Sequence, residues 1–430
     1  MWAACENGSL PVAELLLRAG ASPDAALLKG ETPLMTAARG GYTDVVAALL
    51  ARKAKVNARG PRGQTALMWA AAEGNTEAVN FLIEFGAKVR DTSASGFSPL
   101  LFAVRNNRIE AAKALLAHGA NIEDKAADGT TALNMAVLNA HFDLAMVLLE
   151  HKANPNAPDP RGSALHMLAW MHKPGSDGGA GVARKSYTPY RPEGVTTHLD
   201  LARALLHRGA NPNVRIKWEE KLFDKEGGTV KNPPNIALGR HFLSYVGATP
   251  FYVAAQSGNA PLMRVLAEGG ADPRLPTVQG ITPLMAAAGL GYWQGESPGP
   301  FTGCTEEERL DAVKLAIELG NDVNAVADFG DYKMEGAPGY TLLYYPHNMD
   351  QLVGKVLGDP RWSGSTPLIG AITSGQAVIV KYLIERGARV DAKTKLGWTP
   401  LMVAEGVFFG NAKKEYPEAA ALIRAALAKR

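Results

Sequence analysis

Apolar residues recur along this chain in short bursts at helical spacing rather than in strand-like alternation. Val45-Val46-Ala47-Ala48-Leu49-Leu50 is echoed by Ala78-Val79-Asn80-Phe81-Leu82-Ile83 and by Ala111-Ala112-Lys113-Ala114-Leu115-Leu116. A second kind of burst precedes each of these and opens on a hydroxyl residue. It reads Gly30-Glu31-Thr32-Pro33-Leu34-Met35-Thr36-Ala37-Ala38 in its fullest form. Thr65-Ala66-Leu67, Ser98-Pro99-Leu100, Thr131-Ala132-Leu133 and Ser163-Ala164-Leu165 follow it. Thr249-Pro250-Phe251, Thr282-Pro283-Leu284, Thr366-Pro367-Leu368 and Thr399-Pro400-Leu401 come later. The hydroxyls at 32, 65, 98 and 131 set a period of 33 residues, the mark of a stacked repeat array. Each copy predicts a helix capped by its Thr or Ser, with Pro at the first helical position, where the missing N–H costs nothing. A turn and a second helix follow. Gly86-Ala87, Gly119-Ala120, Gly209-Ala210 and Gly387-Ala388 end that helix, as Gly does after a last helical turn. An extended finger then leads to the next copy.

This phrase, and the helix-turn-helix-finger order, resemble the ankyrin repeat over nearly the whole chain outside four insertions. The resemblance implies an all-α solenoid of about ten repeats, in an array of bacterial type. It departs from the family at the His of the Thr-Pro-Leu-His phrase, which survives only as His166. Met35, Met68, Leu101, Asn134, Tyr252, Met285, Ile369 and Met402 stand in its place. His166 therefore reads as a structural histidine, and the other copies lack its side-chain hydrogen bond.

The spacing divides the chain into a regular array at 1–162, repeats with long insertions at 163–364, and terminal repeats with a capping helix at 365–430. The insertions fall around 170–198, 216–246, 290–306 and 327–363. Two lie between the helices of a repeat, and two lie in the fingers that follow those same repeats. The last is long enough to hold a decayed repeat, since Gly339-Tyr340-Thr341-Leu342-Leu343 echoes the organising phrase. Long loops are either functional or disordered. These hold about half of the chain's Trp, Tyr and Phe in about a quarter of its length, whereas disordered segments are poor in aromatics. The insertions are therefore expected to be ordered.

Composition narrows the function. A net charge of +3 gives no pull toward nucleic acid or a membrane surface. No apolar run is long enough to span a bilayer. The two cysteines, Cys5 and Cys304, make neither a disulfide framework nor a zinc site. No basic, apolar leader precedes the first helix, and the chain opens in mid-repeat. The default compartment is the cytoplasm, or the periplasm or exterior if a leader has been removed. Alanine-rich repeats without long linkers point to a bacterial source.

Little in the sequence resembles catalysis. Gly295-Glu296-Ser297-Pro298-Gly299 matches a nucleophile-elbow string, but that chemistry needs the N–H of the residue after Ser. Pro298 has none. The histidines in and beside the insertions, His172, His198, His241 and His347, show no metal-ligand spacing. No metal or cofactor is expected. The leading reading is a non-catalytic protein that binds a protein or peptide through its concave face, fingers and insertions. The alternatives are a small-molecule binder or enzyme with a site built by the insertions around the clean repeat at 247–274, and a structural module of a larger protein. A composite site would have Phe251, Tyr252 and Gln256 as its floor. Its walls would be Trp170, His172, Tyr190, Trp218, His241, Tyr292, Trp293 and His347.

Overall fold

The computed structural model describes residues 1–27, 30–157, 159, 162–171, 194–217, 243, 245–291, 305–329, 332–334, 352–354, 362–406, 408–409 and 412–429. The chain divides into two compact units, Met1–Asp159 with Pro192–Thr197, and Pro160–Arg191 with His198–Arg430.

The first unit holds five helix pairs. They are α1 (Trp2–Glu6) and α2 (Leu10–Arg18), α3 (Pro33–Gly40) and α4 (Thr43–Ala51), and α5 (Ala66–Glu73) and α6 (Thr76–Glu84). Then come α7 (Pro99–Arg105) and α8 (Ile109–Ala117), and α9 (Ala132–Leu138) and α10 (Phe142–Glu150). Odd-numbered helices pack on one another in one layer, and even-numbered helices form a second. The repeated apolar positions make the core. Leu34, Leu67 and Leu100 are at most 1% exposed, and Leu49, Leu82 and Leu115 are wholly buried. The first pair has a neighbour on one side only within this unit. Leu15 is accordingly 64% exposed and Val12 47%, while Val45, one period on from Val12, is buried.

The caps form as their chemistry requires. The side-chain oxygens of Thr32, Thr65, Ser98 and Thr131 accept from the backbone N–H three residues on, at 3.2–3.4 Å. Thr249, Thr282 and Thr399 do the same in the second unit. The hydroxyl thus satisfies an orphan donor of each helix without the family histidine.

In the second unit the pairs are α11 (Ala164–Met171) and α12 (His198–His207), α13 (Pro250–Gln256) and α14 (Ala260–Glu268), and α15 (Pro283–Ala287) and α16 (Glu306–Glu318). These are followed by α17 (Pro367–Thr373) and α18 (Ala377–Glu385), and by α19 (Pro400–Gly406) and α20 (Pro417–Leu427). The same two layers stack. Leu284 is buried, but Leu401, expected in the core, is only half-buried. It lies in the last described pair, where α17 and α18 supply neighbours on one side.

Two short antiparallel pairs interrupt the helical pattern. One joins β1 (Tyr332–Met334) to β2 (Leu352–Gly354). The other joins β3 (Phe408–Phe409) to β4 (Ala412–Lys413). Helix α16 packs on α18, and Asn324 Nδ2 donates to the Gly387 carbonyl at 3.0 Å. The phrase at 339–343, read as the trace of a decayed repeat, lies outside the described residues.

The fingers show where two insertions leave the scaffold. In a regular finger one N–H donates to the carbonyl four residues on, and a glycine N–H donates back. Thr277 to Ile281 at 3.0 Å and Gly280 to Thr277 at 3.0 Å are one example. In the second unit the same two bonds join Ile216 to Ala248 and Gly247 to Ile216. They join Ala327 to Ser365 and Gly364 to Ala327 in the next long finger. Each long segment leaves and returns through an unchanged turn. Neighbouring fingers are bonded in turn: Ala94 N–H to Arg62 O, Val278 N–H to Val246 O, and Asp328 N–H to Gln279 O.

Candidate functional site

The residue that follows each Thr-x-Leu-x phrase lies on the inner layer of helices. In the first unit these are Thr36, Trp69, Phe102 and Met135. Trp69 and Phe102 are half-buried, although Met68, Ala70, Leu101 and Ala103 beside them are buried. Two large rings therefore stand at equivalent positions on adjacent helices, α5 and α7, without being absorbed into the core. Phe97, at the end of the preceding finger, joins them. Its ring lies 5.4 Å from that of Phe102, tilted by 53°.

Arginines flank the rings. The Arg39 guanidinium stands 5.5 Å from the centre of Trp69, and that of Arg105 stands 5.8 Å from Phe97. These are cation–π distances. Arg39 and Arg105 occupy the same repeat position, three residues after Thr36 and Phe102. Arg39 is held by Glu6 at 3.1 Å and Glu31 at 3.0 Å. On the finger side, Arg59 reaches Asp91 at 2.9 Å and the Thr92 carbonyl at 2.8 Å. The result is an aromatic patch with polar, partly neutralised margins.

The second unit differs at these positions. Met167, Val253, Ala286 and Val403 are at most 1% exposed. Gly370 takes the place of a side chain on α17, and a Cβ there would meet the Leu290 backbone N at 2.7 Å. Trp362, Phe329 and Ser363, in and beside the long finger, are wholly buried.

Of the residues proposed as a composite site, Phe251, Tyr252 and Gln256 are buried on α13, Gln256 at 4% exposure. Trp170 lies on α11. His172, Tyr190, Trp218, His241, Tyr292, Trp293 and His347 lie outside the described residues, as does the side chain of Trp170. The described end of the first inter-helix insertion is bonded to α10. Asp143 accepts from the N–H groups of Val195 at 3.2 Å and Thr196 at 2.9 Å. The Thr196 hydroxyl, then these backbone donors, hold the Asp143 carboxyl below its usual range, against the opposing effect of burial.

His166 plays the structural part that its position implies. Its Nδ1 accepts from the Ser163 N–H at 3.0 Å, so Nε2 carries the proton and donates to the Ala248 carbonyl at 3.1 Å. Burial lowers its pKa to about 4, partly offset by the bond to Ala248. Burial also raises the Cys5 thiol to about 11, which leaves it an unreactive core residue. Among the described residues, no group of three or more His, Cys, Asp or Glu is placed to hold a metal ion, and no helix is long and apolar enough to cross a membrane.

The aromatic patch of the first unit was not singled out from sequence. Trp69 sits inside Ala66-Leu67-Met68-Trp69-Ala70-Ala71-Ala72, where every neighbour is apolar. Only its register separates it from the core. Aligning the copies on their hydroxyl residues and comparing the fifth position would have found it.

Family models match segments of both units. Residues 1–93 and 85–159 match the family model for ankyrin repeats in three copies, and residues 363–395 match that for a single ankyrin repeat. The mouse B-cell lymphoma 3 protein homolog is 36% identical over 225 residues, covering 50% of this chain and 39% of that protein. The chain thus matches less than half the length of that relative. The crystal structure of the human ASB11 ankyrin repeat domain is similar at 22% identity and a TM-score of 0.44, over 63% of this chain and 97% of that one. The relative is a mouse protein, and nothing in these matches supports the bacterial source read from composition. Both units are stacks of paired helices joined by finger turns, and the matched segments fall in each of them: the chain is an ankyrin repeat protein.

Proposed function

We propose that the protein binds a protein or peptide partner on the inner-helix face of its first unit, with Trp69, Phe97 and Phe102 as anchors. Ankyrin repeats generally mediate protein–protein interactions, so the family supplies the class of partner. The observation that carries the reading to this face is the half-buried aromatic pair on adjacent helices. The scaffold itself requires no large ring at this position, since Thr36 fills it with a small, buried side chain. Aromatic residues and Arg are the side chains enriched at binding hot spots.

The test is selection from a display library of random peptides against the full chain, with affinities then measured by fluorescence anisotropy. Trp69→Ala and Phe102→Ala should each weaken the selected peptides at least tenfold, with no comparable loss of affinity for Val278→Ala, an exposed residue of the second unit. Peptides that bind both ring variants as tightly as the wild type would overturn the proposal.

A further inference from the structure

We infer that the segment bound on this face is acidic, a peptide with carboxylates beside an aromatic or leucine side chain; this rests on the binding reading above. Several charges on the face are already answered within the protein. Arg39 is answered by Glu6 and Glu31, and Arg59 by Asp91. Glu73 faces Arg108 at 3.9 Å. On the fourth finger, Asp128 accepts both the N–H and the hydroxyl of Thr130, at 3.0 and 2.7 Å. Asp124 Oδ2, on the same finger, has no hydrogen-bond partner among the described residues but is buried away from solvent, where a bound segment would not meet it.

Arg62 and Arg105 remain. Both are exposed, and neither takes part in an ion pair among the described residues. They come from different elements. Arg62 is on the finger that leads into α5, and its carbonyl accepts from Ala94 of the next finger at 2.9 Å. Arg105 is in the last turn of α7, with its guanidinium over Phe97. A peptide side chain seated among Trp69, Phe97 and Phe102 would place its flanking residues toward one arginine or the other. A carboxylate there gains a charge-assisted hydrogen bond, bidentate where the geometry allows. A basic residue there meets a like charge, which such interfaces exclude. The carboxylates that could have received a basic partner, Glu6, Glu31 and Asp91, are already bound to arginines.

The peptides selected above supply the test. They should be enriched in Asp and Glu next to an aromatic or leucine residue. For the best of them, a twin with Gln for Glu and Asn for Asp should bind at least tenfold more weakly. The double variant Arg62→Gln/Arg105→Gln should lose at least tenfold for the acidic peptide, and the loss should shrink as salt rises. Both side chains are exposed, so a melting temperature equal to the wild type's checks that the fold is intact. Peptides that depend on Trp69 but are neutral or basic, or that ignore the arginine variant, would overturn the acidic inference and leave the binding face standing. Peptides that ignore Trp69 and Phe102 would overturn both.

Discussion

Protonation of His166 should cost the second unit about 3 kcal/mol. The imidazole is fully buried, and burial lowers its pKa to about 4, against an ordinary value near 6.5. The unfolded chain takes up the proton near pH 6.5, and the folded ring resists it until about pH 4. Between those values the unfolded state binds more protons, so stability rises with pH. The contribution is fully present above about pH 6.5 and is lost as pH falls toward 4. At about 1.36 kcal/mol per pKa unit, the gap amounts to about 3 kcal/mol. The geometry gives the same sign, because a proton added at Nδ1 would face the Ser163 N–H only 3.0 Å away. His166→Leu removes the titration at a position that Leu101 fills in another copy, wholly buried. That variant leaves the Ala248 carbonyl without its imidazole donor, a cost of about 1–3 kcal/mol at neutral pH. Urea unfolding of both proteins, followed by circular dichroism from pH 7.5 to 4, gives the difference at each pH with other titrating groups cancelled. The wild type should lead at pH 7 and lose about 3 kcal/mol of that lead by pH 4. A difference that stays constant across the range would refute the reasoning.

Two further outcomes test the scaffold. Leu100→Ala should cost about 2–5 kcal/mol in urea unfolding of the first unit, since Leu100 is wholly buried; a loss under about 0.5 kcal/mol would put the repeat register in error. Gly370→Ala should destabilise the second unit by about 1–3 kcal/mol, because its Cβ would lie 2.7 Å from the Leu290 backbone N; a neutral result would show that α15 and α17 are not packed as closely as the structure has them.

Much of the fold was legible because its signals are local. The hydroxyl that caps a helix and the Pro at its first position depend on a few adjacent backbone groups, and every Thr-Pro pair in the series opens a helix in the structure. Stacking is less legible. The Gly-Tyr-Thr-Leu-Leu phrase at 339–343 satisfies the local rule but lies outside the described residues, while α16 and α18 pack on each other. A repeat needs an unpaired face on each side, and a short string cannot reveal whether those faces are taken. The same limit hid Trp69 and Phe102. Counting aromatics drew attention to the insertions, whereas on α5 and α7 a ring's meaning depends on whether its register faces the core or water. The strand pairs at 332–334 with 352–354 and at 408–409 with 412–413 had no alternating pattern to announce them, being too short to carry a period.

The intact turn at the base of each long finger explains how one chain can carry such insertions and remain a regular stack. Ile216 and Ala248 sit at the same hydrogen-bond distance, 3.0 Å, as Thr277 and Ile281 in the short finger. Their repeats are still stapled side by side: Asn213 donates to the Gly270 carbonyl at 3.0 Å and accepts from the Asp272 N–H at 2.7 Å. Asn57 makes the equivalent pair of bonds to Gly86 and Lys88 in the first unit, where the next finger is short. The ends of the inserted segment are thus fixed by bonds that do not involve the segment itself. Lengthening a closed loop adds only about 0.6 kcal/mol of closure cost per doubling. The added length of the finger is therefore a small term beside the packing of the helix layers. A fingertip is for that reason a place where residues can be gained without disturbing the core, whereas a change at Gly370 or Leu100 is felt through the stack.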